Sequence, residues 1–533
     1  MAERTWIAVA LACLVWFGYV KWFAPPAVSP PSAGMTTATA PEAGAPSGDP
    51  AGVTQSLASP APIGETWSTR YDGVELKFST VGGLPIEASV EGYRESLRKD
   101  SPMVRVLKLP ETQGTFATVF SDPDLKALDA MQYQRKGDAA VTWMAGAGGL
   151  SVTKTYRHGS KRYHLEGEIT LRFDGTKKRD WGTLSIPLGA RQLTHDTNDP
   201  MQSWEAVYYQ NDSMQRTAAE SIKEGDEVHQ GATGWLAFGN RYFSSVFIVP
   251  SSGLNPDVVL ARGPQFEGLY ARYPLQLKEG QSEISIPFRL YLGPKDYQLL
   301  ADVPGLTKLI DYGIFSWLAF PLLALLKFFY GYVHNYGMAI ILLTLMVRGI
   351  FYPLSLKSYR SMKSMQKLQP QIQALKEKHK ADPKKFNEEQ LALFRAHKVN
   401  PAGGCLPMLI QLPVFIALYA VLANSIELYH APFFGWVQDL SSKDPFYVYP
   451  VLMGFAMLGQ QRLTPTPGMD PIQVKMMYLM PVVFTFVMLK LPSGLTMYIF
   501  LSTLLGILQQ LVINRDSHPA LKLAGSSANS PVK

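Results

Sequence analysis

One arginine sits where a charge is costly. Arg348 lies in the apolar run Met338 to Leu356, and the other runs that suit a bilayer contain no Asp, Glu or His to neutralise it. Ionisable groups at membrane depth face a bundle interior or a water-filled cavity, and mark the path of whatever the protein handles. Thr344 stands one helical turn before it, and Gln411, Thr496, Ser502 and Thr503 are among the polar side chains of the later runs. Together they suit one polar recess. Taken singly, each hydroxyl or amide is explained as well by a hydrogen bond between helices, and the competing account of Arg348 is snorkelling toward water.

Other chemistries lack their residues. The spans hold no acidic or histidine relay of the kind ion-coupled transporters use. There is no Gly-x-x-x-x-Gly-Lys-[Ser/Thr] loop for a nucleotide and no His-Glu-x-x-His for a metalloprotease. His158, His164, His195 and His229 show no ligand spacing, and Cys13 and Cys405 make neither a disulfide framework nor a metal site. The expectation is a protein without catalytic residues, metal or cofactor.

The elements that position the arginine follow from composition. The chain has 533 residues, is 47% hydrophobic and 17% charged, and its mean hydropathy is zero, which fits a membrane part joined to a large aqueous part. Thr5 to Phe23 reads as an uncleaved transmembrane anchor (domain 1–23), too long for a signal-peptide core. Residues 24–66, rich in Pro, Ala, Ser and Gly, read as a flexible tether. Residues 67–304 read as an antiparallel β-sandwich, because Val74-Leu76-Phe78, Tyr163 to Phe173 and Ile284 to Leu292 alternate with period two.

Five further runs are spans: Gly337 to Leu356, Leu406 to Ser425, Tyr447 to Gln461, Met476 to Leu491 and Gly494 to Ile513. With the anchor they make six, the last five forming a core over 336–513. Tyr312 to Leu326, between Asp311 and Lys327, reads as too short to cross; the stretch 305–335 is expected to be an interfacial amphipathic helix. Lysines and arginines from Lys357 to Lys398 outnumber the acids there, whereas Ile426 to Phe446 carries Glu427, Asp439 and Asp444 against Lys443. By the positive-inside rule the first loop is cytoplasmic and the second outward, which puts the sandwich on the outer side and both termini, including the tail 514–533, in the cytoplasm.

The basic loop 357–400 reads as a helical hairpin. Met362, Met365, Leu368, Ile372 and Leu375 make one stripe, and Asp382-Pro383 start a second helix carrying Phe386, Leu391 and Phe394. Lys376, Lys378, Lys380, Lys384 and Lys385 would offer a polyanion such as ribosomal RNA a basic face, or serve only to fix topology.

Several segments are familiar as a set. Arg348-Gly-Ile-Phe-Tyr-Pro, Leu368-Gln-Pro-Gln-Ile, Asn400-Pro-Ala-Gly-Gly-Cys-Leu-Pro-Met-Leu-Ile-Gln411-Leu-Pro-Val-Phe and Leu491-Pro-Ser-Gly-Leu495 resemble the YidC membrane protein insertase family over the whole chain. The resemblance implies a multi-pass protein of the bacterial inner membrane. It also implies a hydrophilic groove, open to cytoplasm and lipid, in which Arg348 receives hydrophilic parts of a nascent membrane protein and Thr344, Gln411 and Tyr498 line the way. The Sec translocon, the ribosome and the bilayer are the implied partners. The tail departs from strongly basic members of the family, offering only Arg515, Lys522 and Lys533. Two other classes compete: a small-solute or lipid transporter using the same recess, and a membrane-tethered sugar-binding protein with its function in the sandwich.

Overall fold

The computed structural model describes residues 64–516 apart from 84, 109–118, 123–124, 126–131, 137–140, 148–149, 175–178, 193–202, 252–253, 264–265, 380–381, 398, 400–405 and 464–470. The expected anchor, most of the tether, the tail beyond 516, His195 and Lys380 lie outside the described residues. Contacts divide the described chain between Ile310 and Asp311 into two compact units.

In the first unit, alternation becomes layering. Val74–Ser79 buries Val74, Leu76 and Phe78, and His164–Phe173 buries Leu165, Ile169 and Leu171, as a half-buried strand must. Among the described residues nine antiparallel strands form the largest sheet, in the order Ser213–Ala218, Glu205–Gln210, Thr233–Gly239, Phe243–Ile248, Glu283–Pro294, His164–Phe173, Leu150–His158, Val141–Ala147, Gln134–Lys136. Gly167 lies opposite Phe288 across this sheet, and an added Cβ would come within 2.2 Å of that ring. The glycine therefore admits Phe288, which stacks on Phe247 at 5.1 Å. A second sheet of five strands includes Phe266–Leu277 and Arg179–Gln192 and packs on the first, where buried Ser245 donates to the Leu188 carbonyl at 2.7 Å. A third, four-stranded sheet (Thr66–Tyr71, Val74–Ser79, Pro85–Arg94, Met103–Lys108) joins through Phe78 and Tyr156, with ring centroids 5.2 Å apart.

A partly buried charge cluster around buried Lys295 fastens the end of this unit. Glu205 accepts from Lys295 Nζ at 2.8 Å and from Arg216 Nη1 at 2.5 Å, while Arg216 Nη2 donates to the carbonyls of Lys308 and Leu309. Burial by itself would raise the Glu205 pKa, but the charges and hydrogen bonds of Lys295 and Arg216 outweigh it and hold the carboxyl below its ordinary value.

The second unit is helical: α1 (Ser316–Val333), α2 (Tyr336–Lys367), α3 (Gln369–Lys378), α4 (Pro383–Ala396), α5 (Leu406–Asn424), α6 (Val448–Leu463), α7 (Pro471–Met488) and α8 (Ser493–Asp516). Asn335 caps α2 by accepting from Met338 N at 3.0 Å, and the stacked rings of Tyr330 and Tyr336, 3.9 Å apart, close the turn from α1. Neither Pro353 nor the basic residues after Leu356 end α2, which runs on for 32 residues, about 48 Å.

Two expectations need correction here. The apolar run from Tyr312 does not stop at Leu326, because Lys327 pairs with Glu427 at 2.5 Å and the helix continues to Val333. With the 3-10 turn before it, the segment spans 21 residues, long and apolar enough to cross a membrane, so length does not exclude a crossing. Ala319, Leu322, Leu323 and Leu326 are its buried residues, and its exposed positions include Trp317, Phe328 and Tyr332. Among the described residues, residues 313–333, 336–367 and 493–513 pass as spans by length and composition, whereas the apolar stretches in α5 and α7 are shorter. In the hairpin, Leu368, Ile372 and Phe394 form the core with Met365, Phe386, Leu393 and Val399 packed on it; Leu391 is exposed and Leu393 takes the place expected of it.

Replacing Glu205 by Ala should destabilise the β unit by about 3–5 kcal/mol, since two cations lose their shared carboxylate. With the folded pKa lowered, the stability due to Glu205 should be complete above its unfolded value of about 4.3 and lost as pH falls below it through the folded value. Tryptophan fluorescence during thermal unfolding from pH 7 to pH 3 measures both, and a substitution that leaves the midpoint unmoved at pH 7 contradicts the assignment.

Candidate functional site

The site is built on α2 and α8. Arg348 is half-buried, twelve residues into α2, and both its Nε and its Nη2 donate to Ser502 Oγ, at 2.9 and 2.7 Å. Tyr498, one turn earlier on α8 and 2% exposed, hydrogen-bonds the same Ser502. Among the described residues no carboxylate pairs with the guanidinium. A guanidinium carries five N–H donors, and a neutral hydroxyl can offset only part of its charge.

The other predicted residues are placed differently. Thr344 and Thr496 are fully buried, and each hydroxyl donates to a carbonyl of its own helix region, Ile340 at 2.6 Å and Ser493 at 3.0 Å. Thr503 does the same toward Ile499. Gln411 is partly exposed on α5, one turn before Phe415, whose ring lies 6.5 Å from that of Tyr498. The structure thus brings Arg348, Ser502 and Tyr498 together and leaves the three threonine hydroxyls to backbone partners.

Three neighbours escaped the sequence reading. An added Cβ at Gly506 would lie 3.6 Å from Arg348 Nη1 and 2.9 Å from Gln460 Nε2, so this glycine leaves the guanidinium its room. Gln460, near the end of α6, is hydrogen-bonded by Tyr359 of α2. A signal existed in part: Ser502 and Gly506 are four residues apart, hence on one helix face.

These polar groups are distributed unevenly along the bundle. Gly506, Gln460, Tyr359 and buried Gln510 all lie on the side of Arg348 toward which α2 runs into the hairpin. At the opposite end the loop between α5 and α6 forms a cap. Asp439 accepts from the backbone of His430 and Ser441 and from the hydroxyls of Ser441 and Ser442, while Asp444 accepts from Trp436 Nε1, Phe446 N and Tyr449 N. Ser493 at the start of α8 donates to the Asp439 carbonyl at 2.9 Å, and Gly337 of α2 lies so close to the Phe433 ring that a Cβ would collide with it. The acids counted as outward charges are therefore structural, Glu427 included through Lys327.

The hairpin tip gathers the expected lysines. Exposed Lys376 and Lys378 end α3, and exposed Lys384 and Lys385 open α4, where Asp382 accepts from both of their backbone N–H groups at 3.1 Å. Lys378 lies 3.8 Å from Glu389, a contact too exposed to fix it.

Comparison with known proteins covers both units. The family model "YidC periplasmic domain" matches residues 68–325 and "60Kd inner membrane protein" matches residues 328–520. The chain is 37% identical to a protein of Geobacter metallireducens named "Membrane protein insertase YidC", over 97% of this chain and 99% of the relative. A protein of the same name from Bordetella petrii is 34% identical over 84% and 82%. A crystal structure described as an active YidC insertase with its first transmembrane domain resolved is 20% identical, with a TM-score of 0.37 over 85% of this chain and 94% of that one.

Gly506 offers a test of the site geometry. Gly506→Val should lower stability by about 1–3 kcal/mol through overpacking against Gln460 and the guanidinium. Thermal unfolding in detergent, with Gly331→Val as a control where an added Cβ meets nothing within 4 Å, measures it. Equal midpoints for the two variants would show that the guanidinium does not depend on this space.

Proposed function

Given that the chain belongs to the YidC family of membrane protein insertases, we propose that the recess around Arg348 is the groove through which it inserts nascent proteins into the bacterial inner membrane. Insertion needs no covalent step. A hydrated recess reaching partway into the bilayer shortens the hydrocarbon that a polar client segment must cross, and Arg348 attracts acidic residues in that segment. The client's apolar helix then partitions into lipid, driven by roughly 25 cal/mol per Å2 of apolar surface removed from water.

The supporting observation is the pairing of Arg348 with a hydroxyl instead of a carboxylate, which leaves its charge available to a client. Polar groups continue from it toward the hairpin, whereas the opposite end is capped. Ser502 and Tyr498 hold the guanidinium. Thr344, Thr496 and Gln411 shape the wall above and beside it.

Orientation completes the reading. The hairpin and both termini lie in the cytoplasm, the β unit in the periplasm, and the capped end of the bundle faces the periplasm. On that arrangement the protein has six spans, the N-terminal anchor, α2 and α5 to α8, and α1 lies along the membrane surface; as a span it would carry the basic hairpin to the wrong side. The lysines at the hairpin tip meet the ribosome by charge. A groove that opens sideways to lipid serves clients alone or beside the Sec translocon, since it needs no second pore.

Topology is tested first. With Cys13 and Cys405 replaced, a cysteine at Gln373 should react with an impermeant maleimide only from the cytoplasmic side and one at Gln438 only from the periplasmic side; both positions are exposed. The reverse pattern would sink the orientation.

The charge of Arg348 is tested by substitution. Arg348→Lys should keep most insertion of clients with acidic translocated segments, Arg348→Ala should lose on the order of tenfold, and Arg348→Glu should be worst because it repels what the arginine attracts. A client with a neutral segment should be spared, and reversing the client's charge should partly rescue the Glu variant. Protease protection in vesicles at matched abundance reads these ratios. Equal insertion of acidic clients by wild type and Arg348→Glu would show that the arginine only snorkels.

A further inference from the structure

A second polar recess lies outside the bundle. It has a volume of about 430 Å3 and opens between the last turns of α2 and the exit of α4. Arg360, Ser361, Ser364 and Lys367 line one side, all from α2, and His397 lines the other. No acidic residue lines it. Arg360, Ser364 and Lys367 recur at four and three residues, so they share one face of the helix and are exposed on it. The floor is Leu368, which belongs to the hairpin core with Ile372 and Phe394. His397 Nδ1 donates to the Leu393 carbonyl at 3.0 Å, which fixes the ring and leaves Nε2 as its acceptor.

Arg360 and Lys367 bring two cations to an open recess with no carboxylate among its described lining residues, which suits a phosphate; the Ser364 hydroxyl is turned back to the Arg360 carbonyl at 3.0 Å and is not part of the donor set. The height of the recess identifies the phosphate. From Tyr336, twenty residues of α2 cover about 30 Å, the thickness of the hydrocarbon. Arg360 lies four residues farther, about 6 Å beyond the hydrocarbon edge, and the headgroup layer on each face is about 5–7 Å deep. Arg360 and Ser361 are thus level with lipid phosphates, whereas the lysines of the hairpin tip stand farther out along the chain.

We propose that this recess is a binding site for the phosphate of an anionic phospholipid headgroup. The occupant ties the hairpin to the membrane surface: Arg360 and Lys367 on α2 take the phosphate, and His397 Nε2 at the end of α4 accepts from a headgroup hydroxyl, so a bound lipid bridges the two elements that Leu368 joins from beneath. The hairpin is thereby held beside the mouth of the Arg348 recess. The site rests on the reading that α2 crosses the bilayer, but not on any role of Arg348 in receiving clients.

The test uses the purified full chain in detergent, with phosphatidylglycerol and phosphatidylcholine added at equal concentration and bound lipid counted by native mass spectrometry. Wild type should retain phosphatidylglycerol preferentially. Arg360→Gln should lower that retention about fivefold, as expected for one basic group at an anionic surface, and Lys367→Gln, about 10 Å farther along the helix and reaching back by its side chain, should lower it by less. Arg360→Lys should keep most of it, and Lys376→Gln combined with Lys378→Gln, which removes two charges from the hairpin tip, should change it little. Because retention is read without clients, failure of the insertion mechanism leaves this result standing, and the reverse holds as well. Unchanged retention in Arg360→Gln and Lys367→Gln overturns the proposal. So does displacement of the lipid by millimolar inorganic phosphate, which would assign the recess to free phosphate. A loss in the two variants confined to ribosome co-sedimentation would assign it to RNA and overturn the proposal too.

Discussion

A guanidinium inside an apolar bundle must be compensated, and the way this one is compensated shapes the helical unit. Moving an ion out of water costs several kcal/mol even after relaxation. A hydrogen bond from a charged donor returns about 1.5–3 kcal/mol, and Arg348 makes two to one hydroxyl, Ser502 Oγ. The balance has to come from water, so the bundle must stay wet on at least one side of the arginine. Gly506 keeps the space open, and Gln460, Tyr359 and Gln510 extend polarity toward the hairpin.

Water on one side requires a seal on the other, or the bundle would conduct. The loop from Ile426 to Tyr447 supplies it with two aspartates whose oxygens are occupied by backbone and side-chain donors of the loop and of the first turn of α6. Its apolar part reaches α2 through Phe433 and Gly337. The carboxylates that could have neutralised Arg348 are thus held at the far end as structural acceptors, and the arginine keeps its field.

The β unit shows the opposite solution to a buried charge. There Glu205 is enclosed with Lys295 and Arg216, and Arg216 also donates to the carbonyls of Lys308 and Leu309. Charges satisfied inside a fold contribute structure and offer nothing to a passing ligand. The contrast separates an ion that holds a domain together from one that, in the proposed function, is kept for a client.

Local patterning in the sequence was enough to determine several features. Period two marked the strands at Val74–Ser79, His164–Phe173 and Glu283–Pro294, because a strand with one buried face must alternate. Asp382-Pro383 marked the start of α4, because capping is settled within one turn. An arginine without a nearby acid marked the candidate site, because the cost of a charge does not depend on which helix faces it. Only the tertiary structure decided what depends on partners far apart in the chain. Lys327 could not be seen as the middle of α1 until Glu427 was beside it, and Gly506 and Gln460 mean nothing until α6 and α8 close around Arg348. Thr344 and Thr496 looked like groove donors, yet a hydroxyl on a helix reaches a nearby backbone carbonyl without any tertiary partner, and that contact took them. Periodicity tells which face of an element is apolar; which polar groups remain free to act is fixed when the elements pack.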